Sequence, residues 1–424
     1  MSTRCANCGV ESELDEAFEA GNQFGHPYCP SCILKTRGED VTAVKWVFPI
    51  ALVISVAGIW FNPEDDTGWA ILNTLLFYVF GYASLIIHEA GHAIMGKALG
   101  LRVTNVQLGF GRTFMMVKAM DVRWEFKMIP FGGFARYIPI DLPWFRTKDF
   151  LTSFGGPLAN LLVAWIMSWP IQAGAEFTKP VFGELHLWHV FLGTNLFSGL
   201  WNLIPYVSGN QPTDGMLMLR APFIRDEQIK KLRLIRWQME CDLCLEEGEF
   251  DKALQQAEEG RKLAPDDPEL ASRKARALLG AQRFDEARSE ALGVYEIESL
   301  SLEARARSSN TVAEANLQLD DEKLVHEAGF HSNHVMRIIP WDPEAKTVRA
   351  HLLIRQDEVD EAIPLLHSAL EEESEPRPRA MMHCLLALAA HKKSDQSAYQ
   401  AELSNARAAQ PDHFMIAKVE KPAT

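Results

Sequence analysis

Five consecutive residues carry the strongest chemical signal in this chain: His88-Glu89-Ala90-Gly91-His92. On a helix, positions four apart share a face, so both imidazoles can meet one metal ion while Glu89 stands beside them to handle a water. A catalytic zinc takes three protein ligands and keeps one position open. The natural third ligand is Asp214, in the turn Pro212-Thr213-Asp214-Gly215 that follows Asn202-Leu203-Ile204-Pro205. A second metal signal lies at the N-terminus, where Cys5 and Cys8 form one C-x2-C knuckle and Cys29 and Cys32 form another. Four thiolates so spaced can enclose Zn²⁺ tetrahedrally, as in a zinc ribbon. Such a closed site leaves no open position, so this second zinc reads as structural. The other reading of the four cysteines is two disulfides, which need an oxidising compartment.

These residues need elements to hold them, and the distribution of charge supplies four. The chain has 424 residues with 23% charged. Trp46–Pro63, Trp69–Ile87, Leu151–Ala175 and Leu185–Thr213 contain no Asp, Glu, Lys or Arg. Each offers about the 20 apolar residues that a helical membrane crossing requires. The expected fold class is therefore mainly α: a polytopic helix bundle of about four spans in a lipid bilayer. It carries an N-terminal zinc ribbon over 1–40, a membrane core over 41–225 and a helical tail over 226–424. The net charge of −14 provides no basic excess for nucleic-acid phosphates, so no nucleic-acid partner is expected.

Histidines and a glutamate at the end of a lipid-facing segment are costly unless they face protein or water, which favours a functional role. Parity then supports Asp214. The histidines end the second span and Asp214 ends the fourth, so two crossings return the chain to the same face. From Trp69 to His88 an ideal helix rises roughly 28 Å, close to the far side of a hydrocarbon core. Lys35, Arg37 and Lys45 precede the first span, Glu64, Asp65 and Asp66 follow it, and nine basic residues lie between Lys97 and Phe150. The positive-inside rule places the N- and C-terminal domains in the cytoplasm of a multi-pass integral membrane protein. A reducing cytoplasm favours zinc over disulfides at the ribbon.

Arg123-Trp124-Glu125-Phe126-Lys127-Met128 alternates polar and apolar residues, the pattern of a half-buried strand. The segment 102–139 is expected to form a membrane-associated β-hairpin, with an edge near Gly132 and Gly133 that pairs with an unwound substrate. Asn160 and Asn202 are candidates to orient substrate or stabilise an oxyanion, or else to tie helix ends to loops.

Taken together, these motifs resemble the site-2 protease family of intramembrane zinc metalloproteases. The resemblance covers about Trp69 to Leu219. It rests on HEAGH, Gly109-Phe110-Gly111, Ile129 to Gly133, the Gly-Pro-x-x-Asn run at Gly156 to Asn160, and the Asn-x-x-Pro … Asp-Gly pair. It implies a three-helix core with zinc on His88, His92 and Asp214 and with Glu89 as general base. Such a core cleaves the transmembrane segment of a membrane-anchored protein substrate. Two departures stand out: Val207 to Gln211 lengthens the gap before Asp214, and Ile140 to Phe150 is too short to hold the PDZ domain of many members.

The tail resembles tetratricopeptide repeats. Phe250 and Phe284 are 34 residues apart, as are Ala253 and Ala287. Pro265-Asp-Asp-Pro-Glu returns at Pro340 after 75 residues, which is two periods plus seven and implies an enlarged middle repeat. Stacked repeats would give a solenoid whose groove takes a cytoplasmic peptide or protein. Cys241 and Cys244 read as buried helix residues, and His186 and His189 lie opposite the proposed metal. The rival reading is a catalytically silent membrane scaffold, in which repeats and ribbon assemble partners. An intact Glu89 with a full ligand set argues against it, and a transporter lacks support because the spans show no duplication.

Overall fold

The computed structural model describes residues 3–14, 27–139, 143–172, 183–208, 211–319, 321–373 and 375–420. His26 lies outside them. The chain divides into two compact units: Met1–Leu34 with Trp237–Thr424, and Lys35–Arg236.

The N-terminal strands β1 (Thr3–Arg4) and β2 (Glu11–Ser12) pair antiparallel. They precede α1 (Pro30–Phe61), which begins at the second cysteine knuckle and contains the first charge-free stretch. Next comes α2 (Asp66–Ala98). Asp65 caps it by accepting from Thr67 N at 3.2 Å, and Asp66 in the first turn suits the positive end of the helix dipole. The start of α2 is tied to α1 by Ser55, whose Oγ donates to Gly68 O at 2.8 Å.

The strands β3 (Arg102–Ala119) and β4 (Val122–Ile138) do more than form one hairpin. Val106 pairs with both Ala135 and Trp124, and Val117 also pairs with Trp124. Each long strand therefore folds over on itself, giving four segments in the order 133–138, 102–108, 122–129 and 113–119. Met120 and Asp121, both with positive φ, form the two-residue turn that matches strand twist. Val103, Val106, Leu108, Val122 and Trp124 pack against Leu85 and Ala93 of α2.

Two further helices, α3 (Phe145–Gln172) and α4 (Leu187–Leu203), complete the core, followed by the short pair β5 (Val207–Ser208) and β6 (Gln211–Pro212) and by α5 (Asp214–Arg220). Among the described helices, Asp66–Ala98 and Phe145–Trp169 are long and apolar enough to cross a membrane, and the apolar part of α1, Pro49–Phe61, is shorter. With 17 residues α4 rises roughly 25 Å, slightly less than a typical hydrocarbon core.

Two helices of this unit approach closely at Gly91 and Gly155. A Cβ on Gly155 would lie 2.7 Å from Gly91 O, so α2 and α3 cross backbone to backbone as small residues permit.

From α6 (Asp226–Glu246) onward the chain is helical hairpins: α7 (Phe250–Leu263), α8 (Pro268–Gly280), α9 (Phe284–Tyr295), α10 (Leu302–Gln318), α11 (Glu322–Ile338), α12 (Pro343–Arg355), α13 (Val359–Glu372), α14 (Pro376–Lys392), α15 (Gln396–Ala409) and α16 (Phe414–Glu420). The repeated Asp-Pro-Glu has a local cause. Asp267 and Asp342 each cap a helix by accepting from the backbone N–H three residues on, and the following proline takes the first helical position, where no N–H is needed. The extra seven residues arise because α10 and α11 have 17 residues each against 13 and 12 in α8 and α9, while the loop that follows, 339–342, is two residues shorter than 296–301. Cys241 and Cys244 are buried with Ala253, Leu254 and Leu278, in hydrophobic packing.

Candidate active site

His88, Glu89 and His92 lie on the last third of α2, each under a tenth exposed. Asp214 opens α5, whose N-cap Thr213 accepts from Met216 N. The residues that lengthen the gap before it form the β5–β6 hairpin, which returns the chain so that Thr213 N donates to Tyr206 O at 3.0 Å. The insertion is thereby looped out and Asp214 keeps its place. At the other end of these helices, His186 N donates to Asn73 Oδ1 at 3.0 Å and Asn73 Nδ2 donates to Glu184 O at 2.9 Å. The starts of α2 and α4 thus lie together, as do His88 and Asp214.

Three candidate ligand side chains converge. His88 Nε2 is 2.9 Å from Asp214 Oδ2, His92 Nε2 is 3.2 Å from Asp214 Oδ1, and the two Nε2 atoms are 3.2 Å apart. Second partners settle the tautomers. His88 Nδ1 is 2.7 Å from Asn160 Oδ1, and His92 Nδ1 is 2.7 Å from Thr152 O. The carbonyl of Thr152 only accepts, so Nδ1 of His92 carries the proton. The amide of Asn160 is oriented by its own donor bonds to Ser84 O, Ser84 Oγ and Asn195 Oδ1, which leave its oxygen facing His88. In neutral imidazoles so held, both Nε2 lone pairs would face one another and a carboxylate. Such a cluster of electron pairs calls for a cation between them. Ligands about 2.0–2.1 Å from a tetrahedral zinc lie a little over 3 Å apart, so the donor set fits that ion.

Glu89 is beside this cluster, and its Oε2 is buried with no hydrogen-bond partner among the described residues. An unsatisfied buried carboxylate oxygen is expensive unless water or substrate completes it. Gly133 makes room for it: a Cβ there would sit 2.7 Å from Glu89 Oε1. Gly132 has a φ of +70°, which turns the chain into the edge segment. Asn202 is directed elsewhere, its Nδ2 donating to Ser198 O one turn back in α4. Of the two asparagines, Asn160 joins the cluster and Asn202 does not.

Residues whose site role the sequence did not single out are Thr152, Ser84, Asn195 and, for its contacts, Gly156. A Cβ on Gly156 would overlap His92 Nε2 and lie 2.8 Å from His88 Nε2. Two adjacent glycines in the charge-free stretch of α3 are the available signal for a close approach.

The four N-terminal cysteines also meet. None is in a disulfide, and their sulfurs lie within 4.8 Å of one another, with Cys8 Sγ 3.6 Å from Cys29 Sγ. That is far beyond a disulfide bond and close to the S···S separation around a zinc with Zn–S near about 2.3 Å. Cys29 N donates to Cys5 Sγ at 3.2 Å, and Asn7 Nδ2 donates to Cys32 Sγ at 3.4 Å, both bonds that stabilise a thiolate.

Residues 76–238 match the model of Peptidase family M50. Protease RseP of Yersinia pestis is 25% identical over 207 residues, spanning 41% of this chain and 45% of its own length. A Neisseria meningitidis protein bearing a zinc metalloprotease name is 30% identical over 110 residues, spanning 23% of this chain and 25% of its own. The chain thus covers less than half the length of these relatives. Among solved structures, a tetratricopeptide-repeat protein of Thermus thermophilus is 19% identical with a TM-score of 0.33, covering 41% of this chain and 90% of its own. Residues 76–238, which hold the HEAGH helix and the late Asp-Gly turn, are a Peptidase family M50 (site-2 protease) domain.

Proposed function

We propose that this protein is an intramembrane zinc metalloprotease that cuts the transmembrane segment of a membrane-anchored partner, with the ribbon and repeats recruiting or gating that substrate from the cytoplasm. The observation that carries the reading is the convergence of His88, His92 and Asp214 from two distant helices, with the unpartnered oxygen of Glu89 beside them.

When bound, zinc supplies Lewis-acid polarisation of the scissile carbonyl and of a water. The protein's residues supply the rest. Asn160 and Thr152 hold the imidazoles in the tautomer that presents Nε2. Glu89 takes the water's proton on Oε2 and returns it to the leaving amine. A helical substrate must first unwind to expose a peptide bond. The segment 133–138 pairs on one side only among the described residues, so its other edge is available to an extended chain beside Glu89.

The test uses detergent-purified full-length protein and a panel of single-span peptides. Native protein should cut at least one, and Glu89→Gln should leave all intact while keeping its zinc. Equal cleavage by that variant would assign the activity to a contaminant and favour a silent scaffold. Gly132→Pro, whose ring cannot adopt the φ of +70° found there and so displaces the edge, should likewise abolish cleavage with zinc content unchanged; retained cleavage would remove the strand-pairing step alone.

A further inference from the structure

The four-cysteine centre is embedded in contacts with the repeat helices. Trp341, in the turn between α11 and α12, packs on Cys5, Cys29 and Cys32 together with Val10 and Tyr28. Leu14 inserts beside Val335, Ile338, Ile339 and Ala345. Ser12 is 1% exposed and its Oγ donates to Ile338 O at 2.6 Å, while Glu13 N donates to Arg337 O at 2.9 Å. On the other knuckle Ser31, between Cys29 and Cys32, donates to Glu372 Oε2 at 2.9 Å. The second oxygen of Glu372 is 3.0 Å from Lys346 Nζ, in an ion pair largely removed from water.

Two facts give these contacts a common meaning. Among its described residues the N-terminal segment shows a pair of two-residue strands and a core made of its own cysteines, a small basis for a fixed shape without metal. The groups that dock come from both knuckles: Ser12 and Leu14 follow the first, and Ser31 sits inside the second. Ala6 N donates to Pro27 O at 2.9 Å and Cys29 N to Cys5 Sγ at 3.2 Å, and closure of the four cysteines around an ion would lock the two sets relative to each other so that both fit the repeat surface together.

We propose that the repeat helices form the outer shell of the four-cysteine centre, so that metal binding there and docking of the ribbon are one coupled equilibrium, with Trp341 and Glu372 as positioning residues. Trp341 excludes water from the thiolates, and Glu372, neutralised by Lys346, fixes the second knuckle through Ser31. Linkage makes the coupling reciprocal: whatever docking adds to metal affinity, metal adds to docking. The inference builds on the zinc reading of the cysteines and is independent of the peptidase reading.

Cobalt substitution in the full-length protein isolates this centre, because sulfur-to-cobalt charge-transfer absorption arises only at thiolates and the His88–His92–Asp214 cluster has none. Trp341→Ala and Glu372→Gln should each weaken cobalt and zinc binding at the cysteines by about 10- to 100-fold in competition with a chelator, the usual effect of losing an outer-shell partner. Trp341→Phe should restore most of it. In the native protein, chelation should raise amide exchange at 12–14 and 337–341 but leave α14 unchanged, which separates undocking from unfolding. Native affinity in both variants, or exchange at 337–341 indifferent to metal, would overturn the coupling. Absence of the charge-transfer band in the native protein would remove the metal centre and the coupling with it.

Discussion

His88 Nδ1 and Asn160 Oδ1 are 2.7 Å apart, and this one bond decides which nitrogen of the imidazole faces Asp214. Asn160 is wholly buried and spends its two N–H groups on Ser84 and Asn195, so it reads α2 and α4 at once from α3. Asn160→Ala removes the acceptor, frees the tautomer and leaves Ser84 and Asn195 facing a gap. Zinc affinity at this cluster should fall about 10- to 100-fold, while loss of the buried bonds costs about 1–3 kcal/mol of stability. Zinc titration of the purified variant, followed by its thermal midpoint, separates the two effects. Unaltered affinity would mean that Thr152 and packing alone orient the pair.

Gly156 sets a steric condition on the same cluster. A methyl group there would occupy the space between the two Nε2 atoms and the passing backbone of α3. Gly156→Ala should therefore yield a folded protein that has lost the catalytic zinc, with the four-cysteine zinc retained. Stoichiometry should fall from two to about one per chain by elemental analysis. Two zinc ions in the variant would show that α3 can move away at no consequence for the site.

Gly133 does for Glu89 what Gly156 does for the imidazoles. The added Cβ of Gly133→Ala would press on Oε1 of Glu89 and on Gln107 O, rotating the carboxylate or shifting the edge segment. Neither change touches His88, His92 or Asp214. Zinc should stay bound while cleavage of a single-span peptide drops at least about 100-fold, the range in which a positioned general base contributes. A variant with full activity would place the catalytic proton elsewhere.

The sequence displayed this centre in unequal parts. The HEAGH spacing and the absence of charge before it located the metal cluster, because helical period and burial cost act over a few residues. Asp214 is the candidate third ligand from its Asp-Gly turn, and counting four expected crossings supports it. What stayed hidden was long-range: Asn160 feeding His88 from another helix, Asn195 feeding Asn160, and glycines whose value is the space they leave. Likewise the 34-residue offset exposed the repeats and the offset of 75 exposed the extra seven residues, but not their division between α10 and α11. The ribbon's attachment to the repeats had no local signature at all, since Ser12 and Ile338 meet only in the folded chain.

Within the repeats, Glu314 carries a testable dependence on pH. It is half-buried on α10 with Arg276, Arg377 and Glu344 as charged neighbours. Burial, and after it the Glu344 carboxylate, push its carboxyl up to about 7, with the two arginines opposing. The raised value means that the folded protein holds this proton more tightly than the unfolded chain, whose glutamates titrate near about 4.3. Stability contributed by the neutral acid is thus complete below about pH 4 and is lost as pH rises toward 7. Glu314→Gln keeps the neutral shape at every pH. It should match the native protein at about pH 4 and exceed it at about pH 8, by at most about 4 kcal/mol for a shift of this size. Amide exchange of α10 in the full-length protein at the two pH values measures the difference locally. A native protein as stable as the variant at the higher pH would mean that Arg276 or Arg377 fully compensates the charge.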